Sequence, residues 1–260
     1  MLKEPFFLLG FVRPLRMLML LGWILFGLLV VSVFYPLFSE VQRNRAMSVW
    51  ARGLLTAMGV HLQVDGNLRL TGTLMVSNHV SWLDPFLLLA VYPVRFVAKA
   101  EIRDWPIIGW LAVRTGTVFI RRDRQRDVTQ VAQDFAGHLG VGQAVAWFPE
   151  STTSDGTHVK YFKTGLFQVA VSQSVPCVPI ALRYAGSAAI WVGEMGLFES
   201  VWRILAQART DASLYICPAI GADQGLNRRE LARASERAIA SVLSLPVRHN
   251  QPETGADLPV

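Results

Sequence analysis

A run of 23 residues without a charged side chain, residues 17–39, constrains the fold more than any other feature of the sequence. A helix of that length is about 34 Å long, enough to cross the hydrocarbon core of a bilayer, which is about 30 Å thick. A cleaved signal peptide would end in small residues, whereas this run ends in Tyr35, Pro36 and bulky apolar residues. The run therefore predicts a membrane helix. A helix that crosses the membrane and one that enters and returns both fit. Basic residues flank the run almost equally on both sides, so they do not determine its orientation.

Residues 40–58 predict a second helix, with apolar side chains and arginines interspersed. Such a helix can lie in the headgroup region of a membrane or pack as an ordinary amphipathic helix on the rest of the protein. Gly59 and the turn sequence at 65–67 mark the entry to the main domain. We expect an N-terminal membrane-embedded helical element at 1–58, a main domain at 59–248 and a loose C-terminal tail at 249–260.

The main domain alternates short apolar runs with helical stretches, which is typical of an α/β fold. We expect a central mixed, largely parallel sheet flanked by helices. Strands are predicted at 61–64, 72–76, 95–98, 117–120, 144–147, 178–182 and 213–216. Helices are predicted at 85–91, 106–114, 126–137, 164–172 and 227–243.

The composition, 52% hydrophobic and 17% charged, is apolar for a soluble protein, and a net charge of +6 indicates an anionic partner. Because the chain is both basic and apolar, we expect an anionic membrane surface as that partner and not nucleic acid. Cys177 and Cys217 lie in apolar, strand-like runs. Buried thiols in a reducing compartment are predicted there, without a disulfide.

The connection from 77 to 85 carries the first candidate catalytic pair, His79 and Asp84. A chain that turns a corner between them can bring the carboxylate to an imidazole nitrogen, and that contact would raise the basicity of the other nitrogen. The pair would be the base and its orienting group, with a substrate hydroxyl as the group that loses its proton. The alternative is that Asp84 caps a helix and His79 makes a turn hydrogen bond.

Further polar side chains follow other predicted strands. Arg121, at the end of one strand, can pair with a phosphate or a carboxylate, although most of the arginines around it fit a solvated loop. Lys163 precedes a predicted helix start, where an ammonium beside N-terminal N–H groups favours an anion. A carboxylate and hydroxyl groups able to bind a polar head group follow another strand: Glu150, Ser151, Thr152 and Thr153.

Several common catalytic motifs are missing from the sequence. It contains no G-x-S-x-G elbow, no G-x-x-x-x-G-K-[ST] phosphate loop and no H-E-x-x-H zinc motif. The five histidines show no metal-ligand spacing. We therefore expect no metal and no cofactor.

The order of the motifs resembles the glycerolipid and lysophospholipid acyltransferase family, and within it the bacterial 1-acylglycerol-3-phosphate acyltransferases. The resemblance covers about residues 62–182. The matching segments are Asn78-His79-x-Ser81-x-x-Asp84-Pro85, Arg95-Phe96-Val97-Ala98-Lys99, 116–121, Phe148-Pro149-Glu150, Phe162-Lys163-x-Gly165 and Val175-Pro176-x-Val178-Pro179.

This resemblance implies a role for each matching residue. His79 would be the general base and Asp84 its orienting group, and the acceptor hydroxyl would attack the thioester of acyl-CoA or acyl-carrier protein without an acyl-enzyme. Arg121 matches the arginine that binds the acceptor phosphate, and Glu150 matches the acceptor-binding glutamate of an F-P-E-G-T-R-S motif. The family also has an N-terminal membrane-embedded two-helix element, and 59–248 would be the acyltransferase domain.

The sequence departs from the family inside that same motif. Ser151 stands where the family has glycine, which matters if the position needs a positive φ. Thr153 stands where the family has arginine, and a lost phosphate contact of that kind is worth about 2 kcal/mol. Lys160, Lys163 or Arg122 can compensate; otherwise the acceptor has no phosphomonoester, as in lyso-ornithine lipid.

Together these features predict a membrane-bound O-acyltransferase of phospholipid biosynthesis that acts on 1-acylglycerol-3-phosphate. The alternatives are an acyltransferase for a phosphate-free acceptor such as lyso-ornithine lipid, and a non-catalytic lipid-binding relative. A metal hydrolase that uses His79 and Asp84 as ligands is disfavoured because no further ligands are suitably spaced. We expect the bacterial inner membrane as the location, with the catalytic domain on the cytoplasmic side and with membrane lipids and the acyl donor as partners. No oligomeric state is predicted.

Overall fold

The computed structural model describes residues 6–67, 72–120, 125–221 and 224–248. The chain forms two compact units, each built from segments that are distant in sequence. The first unit contains the chain up to Val64, Val80–Pro93 and Arg183–Leu214, and the second contains Asp65–His79, Val94–Leu182 and the chain from Tyr215 onwards. The predicted domain boundaries stay predictions, and the predicted tail at 249–260 lies outside the described residues.

The first unit begins with a long apolar helix. Helix α1, Phe6–Leu29, continues through a π-helical turn, Val30–Phe34, and a short 3-10 turn, Tyr35–Leu37. In the part of the chain that the structure describes, Val12–Leu37 is the one segment long and apolar enough to cross a membrane, with a mean hydropathy of 2.6. Its leucines are largely exposed, with Leu18 at 68%. The predicted apolar helix is present, although it starts well before residue 17.

Helix α2, Glu40–Ala57, confirms the second predicted helix. Its start is set by Ser39, whose side chain accepts a hydrogen bond from the Gln42 N–H while the Gln42 side chain accepts one from the Ser39 N–H. This reciprocal cap satisfies two N–H groups that the first turn leaves without helical partners. Ser39 and Gln42 therefore fix the residue at which the second helix starts.

Two tryptophan–glycine contacts hold α1 against α2. A Cβ atom at Gly27 would lie 2.2 Å from Nε1 of Trp50, and one at Gly53 would lie 2.1 Å from the ring of Trp23. Trp23 Nε1 donates to the Trp50 carbonyl at 2.8 Å, and Trp50 Nε1 donates to the Trp23 carbonyl at 3.3 Å. Glycine is required at both positions because each indole occupies the space of the missing side chain.

Two more helices and the larger parts of two strands complete the first unit. The elements are β1 Val60–Asp65, α3 Asp84–Val91, α7 Leu197–Leu205 and β8 Thr210–Ile216. Helix α2 is tied to α3 by Arg52, whose Nε donates to the Ala90 carbonyl at 2.6 Å. The sequence did not predict helix α7.

The second unit is organised around parallel strands. Its strands are β2 Leu74–Ser77, β3 Val94–Lys99, β4 Val118–Ile120, β5 Ala144–Trp147 and β7 Cys177–Tyr184. They lie in the order β7-β2-β5-β3-β4, and all neighbouring pairs run parallel. Strand β2 lies between β5 and β7 and is buried over its whole length, as expected for a strand in the middle of a covered parallel sheet.

Helices and a two-stranded ladder complete the second unit. A short 3-10 helix at Ala100–Asp104 leads to α4, Ile108–Arg114. The aromatic core includes the fully buried Phe135, Phe162 and Phe167. The remaining elements are α5 Gln125–Gly140, α6 Phe167–Gln173, α8 Arg228–Leu243 and the parallel pair of β6 Val159–Lys160 with β9 Val247–Arg248.

The predicted fold class is confirmed, since each of the seven predicted strands is present in a mostly parallel sheet flanked by helices. The predicted start of the helix at residue 164 is wrong, because α6 begins at Phe167. The hydrogen bonds at this boundary span three residues: Gln168 donates its N–H to the Gly165 carbonyl, and Val169 donates its N–H to the Leu166 carbonyl. The residues just before Phe167 therefore form a tight turn and not a turn of α-helix.

Both cysteine thiols are buried and unbonded to each other, as predicted. Burial raises the pKa of the Cys177 thiol to about 12 and that of Cys217 to about 11. A thiol with so high a pKa is a poor nucleophile at neutral pH, because the thiolate is the reactive form. The predicted reducing compartment stays a prediction.

Candidate active site

Asp84 is fully buried at the first position of α3, and three donors hold its carboxylate. Oδ2 accepts the N–H of Val80 at 2.8 Å and the N–H of Ser81 at 3.0 Å, and Oδ1 accepts the hydroxyl of Tyr184 at 2.8 Å. The chain that leaves His79 therefore folds back onto Asp84 within four residues. A buried carboxylate with several donors keeps its charge without the penalty of an unsatisfied anion.

Tyr184, at the end of β7, is the partner of Asp84 that the sequence did not reveal. Burial, together with the nearby Asp84 carboxylate, raises the pKa of its phenol well above the usual value. Tyr184 therefore stays protonated and donates its hydrogen to the carboxylate. The only signal in the sequence is a tyrosine at the end of an apolar run. This signal does not identify Asp84 as the acceptor of the tyrosine hydroxyl.

His79 comes two residues after β2 and is half-buried. Its ring stacks on Phe148, with ring centroids 4.3 Å apart and an angle of 20° between the planes. Its carbonyl accepts the Ser154 N–H at 2.7 Å. The imidazole is therefore supported on one face by the loop that follows β5, at the edge of the sheet where the parallel strands end. The predicted contact of His79 with Asp84 stays a prediction.

Asn78 fixes the backbone just before His79. Its Nδ2 donates to the Leu182 carbonyl at 2.9 Å, and its Oδ1 accepts the Leu182 N–H at 2.8 Å. The side-chain amide thus continues the pairing of β2 with β7 beyond the last strand residue, much as a backbone amide would. Because Asn78 is buried and satisfied on both sides, the position of the following residue is well defined.

Glu150 is buried, and its carboxylate joins two backbone segments. Oε2 accepts the His79 N–H at 3.4 Å, and Oε1 accepts the Lys160 N–H at 3.2 Å. A carboxylate between two N–H groups positions both segments. Its predicted role as a contact to the acceptor stays a prediction.

The hydroxyl run after Glu150 forms a tight turn. Ser151 is buried with a φ of 67°, Thr152 is exposed and Thr153 is half-buried. Position 151, which is glycine in the family that the sequence resembles, therefore has a left-handed backbone in this chain. Serine adopts that backbone at a steric cost. The Lys160 ammonium donates to the Thr153 carbonyl at 3.3 Å, so a cation lies beside the position that has lost the motif arginine.

Replacing Ser151 by glycine is expected to raise the free energy of unfolding by about 1 kcal/mol. Glycine adopts a positive φ without the clash that a Cβ atom creates. Urea denaturation of the full chain would measure the change, with Ser172→Gly as a control, because that serine is an exposed residue of helix α6. The control should lose about 0.5 kcal/mol, because glycine has a lower helix propensity than serine. A loss of stability in Ser151→Gly would contradict this interpretation.

Two predicted anion contacts differ in outcome. Lys163 is exposed, and α6 begins four residues after it, at Phe167. The predicted place of Lys163 at a helix start is therefore wrong. Arg121 lies outside the described residues, so its predicted contact with a phosphate stays a prediction. Among the described residues no group of three or more histidine, cysteine or carboxylate side chains converges as a metal site would require.

Helix α8 holds the segment that links Lys160 to Lys163. Glu236, buried in α8, accepts the N–H of Phe162, and Arg233 donates to the carbonyl of the same residue. The two side chains also pair with each other, with Arg233 Nη1 3.0 Å from Glu236 Oε1. Burial raises the pKa of Glu236 to about 7, although the Phe162 N–H and Arg233 act in the opposite direction. We call this arrangement the α8 clamp.

The chain is similar in sequence to known acyltransferases. The sequence model of the family described as Acyltransferase matches residues 60–183. A 1-acyl-sn-glycerol-3-phosphate acyltransferase from Neisseria meningitidis is 35% identical over 211 residues, covering 78% of this chain and 82% of that protein. A lyso-ornithine lipid O-acyltransferase from Pseudomonas aeruginosa is 34% identical over 206 residues, covering 77% of this chain and 79% of that protein.

A solved structure shares the fold. The crystal structure of the 1-acyl-sn-glycerophosphate (LPA) acyltransferase PlsC from Thermotoga maritima matches with a TM-score of 0.67, covering 89% of this chain and 96% of that chain. The sequences are 21% identical. At that identity the likeness establishes the architecture, which agrees with the fold class expected from the sequence.

Proposed function

Because this chain belongs to the acyltransferase family, we propose that it transfers an acyl chain from a thioester donor to the free hydroxyl of a lysolipid at a membrane surface. The observation that carries this proposal is the buried Asp84 carboxylate, held by Tyr184 and by the two amides that follow His79. A fixed anion within a short connection suits the task of orienting and stabilising a catalytic imidazole.

In the proposed step His79 takes the proton of the acceptor hydroxyl while the oxygen attacks the thioester carbonyl. The ester C–O bond forms and the C–S bond breaks, and the proton passes from the imidazolium to the departing thiolate. Asp84 stabilises the imidazolium between these two transfers. An activated thioester needs no metal for this reaction, since one base and fixed dipoles suffice.

We propose acyl-CoA or acyl-carrier protein as the donor and the cytoplasmic face of the bacterial inner membrane as the location. The exposed leucines of α1 support membrane association, because a helix of this hydropathy exposed to water would be unfavourable. Thioester donors are made inside the cell, which supports the cytoplasmic side.

The preferred acceptor in this proposal is 1-acylglycerol-3-phosphate. Lys160 supports it, because its ammonium lies at the Thr153 carbonyl and can supply the positive charge that Thr153 does not. Arg121 would be a second phosphate ligand, and Glu150 with the hydroxyls of 151–153 would contact the glycerol part. Lys163, which is exposed, would add charge at the entrance.

Lyso-ornithine lipid is the second candidate acceptor. The observation that favours it is the replacement of the motif arginine by Thr153, since an acceptor without a phosphomonoester does not need that guanidinium. The relative from Pseudomonas aeruginosa carries this activity in its name. In this case Lys160 would have a structural role in the turn and no contact with the acceptor.

Thiol release by the purified full chain with acyl-CoA and each of the two lysolipids separates these candidates. We expect Lys160→Met to raise the KM for 1-acylglycerol-3-phosphate about tenfold, because one charge-assisted hydrogen bond of about 1.4 kcal/mol is lost. The KM for lyso-ornithine lipid should not change.

Lys163→Met is the matched comparison for Lys160→Met, since it removes the same charge from an exposed side chain nearby. We expect it to change the KM less than threefold. A higher kcat/KM with lyso-ornithine lipid in the native chain, together with an unchanged KM in Lys160→Met, would replace the first acceptor by the second.

A further inference from the structure

A cavity of about 350 Å³ lies in the first unit, and none of the residues that line it is assigned a catalytic role above. Its wall is formed by Arg13 of α1, the loop after β7, the last turns of α7 and the start of β8. A cavity of this size is sufficient for a phosphate group with part of its attached alcohol. Its residues come from four chain segments, so the site is built by the fold and not by one loop.

Three guanidinium groups line this cavity, from Arg13, Arg203 and Arg209. Arg209 is neutralised in part by Asp211, whose Oδ1 lies 2.5 Å from its Nε. Within the described residues no carboxylate lines the wall itself. Arginine is suited to phosphate because its planar donors match two oxygens at once. The charge of the wall therefore favours an anion.

Two buried donors in this region lack a hydrogen-bond partner within the described residues. Thr210 is 3% exposed, and its buried Oγ1 has no hydrogen-bond partner among the described residues. Nε of Arg13 is also buried and also lacks a partner among them. Buried polar atoms are almost always satisfied in folded proteins, so such an atom at the wall of a cavity needs an explanation. Oxygens of a bound anion would supply the hydrogen-bond acceptors that these two donors lack.

Apolar side chains surround this site on the outside. The Arg13 guanidinium lies over the ring of Trp202, 5.9 Å from its centroid. Trp202 stacks in turn with Phe198 of α7, which is 73% exposed. Along α1, Leu15 and Leu18 are 58% and 68% exposed. Aromatic and aliphatic side chains beside arginines are typical of the level at which a bilayer passes from head groups to acyl chains.

We propose that this cavity binds the phosphate group of an anionic phospholipid whose acyl chains lie along the exposed faces of α1 and α7. The lipid is a bound component of the membrane and not the acceptor that is acylated. Arg13 and Arg203 contact the phosphate oxygens, the Thr210 hydroxyl donates to one of them, and Trp202 packs on the first carbons of the chains. This binding would fix the depth of the first unit in an anionic membrane.

The test measures binding by the purified full chain in a neutral detergent by calorimetry. The probes are monomeric dihexanoylphosphatidylglycerol, dihexanoylphosphatidylcholine and inorganic phosphate. We expect dihexanoylphosphatidylglycerol to bind at least tenfold more tightly than either of the other probes, since it combines a net negative charge with acyl chains. Equal binding of the two lipids, or equal binding of inorganic phosphate, would overturn the proposal, the latter by assigning the cavity to a free anion.

Variants distinguish this site from general attraction to a basic protein. We expect Thr210→Val to raise the Kd for dihexanoylphosphatidylglycerol about fivefold, because a donor to the phosphate is lost. The melting temperature of the lipid-free protein should not fall, because valine has the same shape as threonine and no unsatisfied hydroxyl. Arg13→Gln and Arg203→Gln should each raise the Kd about tenfold. Arg45→Gln, which removes an exposed charge from α2, should leave it unchanged.

If Thr210→Val and both arginine variants bind as the native chain does, the cavity is not the site and the proposal fails. The binding experiment involves no acyl transfer. A failure of the lipid-binding proposal and a failure of the proposed reaction would therefore be seen in different experiments.

Discussion

Replacing His79 by alanine is expected to lower kcat for acyl transfer about 10³-fold, within the range that a positioned general base contributes. The loss should fall on kcat and leave the KM for the acceptor nearly unchanged, because the imidazole acts on the reacting hydroxyl in the transition state. Thiol release from acyl-CoA in the presence of the lysolipid measures both constants.

His158→Ala is the matched control for this variant. His158 is also half-buried, and it contacts the Asp155 carboxylate in the second unit. We expect it to retain native kcat. Because the His79 ring packs on Phe148, thermal denaturation of His79→Ala must show a folded protein before its kinetics are interpreted. Undiminished transfer by a folded His79→Ala would remove His79 from the mechanism.

Changing Asp84 to asparagine is expected to lower kcat about 10²-fold with only a modest loss of stability. The remaining carbonyl oxygen can still accept the N–H groups of Val80 and Ser81, and the new amide can donate to the hydroxyl of Tyr184, which accepts as well as donates. The variant thus retains the geometry and removes the charge. About 1–2 kcal/mol should be lost, because charge-assisted hydrogen bonds become neutral ones.

Asp155→Asn provides the comparison, since it removes an exposed carboxylate whose partners are local. It should leave kcat within error and cost less than about 1 kcal/mol of stability, because the carboxylate is exposed to solvent. If Asp84→Asn instead unfolds the protein while its activity per folded molecule stays native, then the role of Asp84 is structural and the alternative interpretation of a helix-capping carboxylate is correct.

Local patterns in the sequence were enough to locate the strands of the sheet, although not helix α7. Runs of apolar residues located each strand of the sheet within a few residues, because burial on both faces leaves a clear signature. The glycine of the family that the sequence resembles left open whether position 151 needs a positive φ, and the φ of 67° at Ser151 shows that it does.

Contacts between distant segments could not be predicted in the same way. Tyr184 lies a hundred residues after Asp84, and nothing in its neighbourhood marks it as a carboxylate donor. The contact of the Phe162 N–H with Glu236, 74 residues further on, is likewise unmarked in the local sequence. Such pairings depend on strand order, which local propensity does not contain.

The α8 clamp has a consequence for protein engineering. Arg233 and Glu236 belong to a helix beyond residue 183, where the family match ends, yet they hold the backbone of Phe162 inside it. Arg233 also covers the ring of Tyr161, 3.6 Å from its centroid. A chimera that exchanged only residues 60–183 with a relative would place a foreign loop under this helix. Transplanting acceptor preference between such enzymes therefore requires the graft to include Arg228–Leu243 as well.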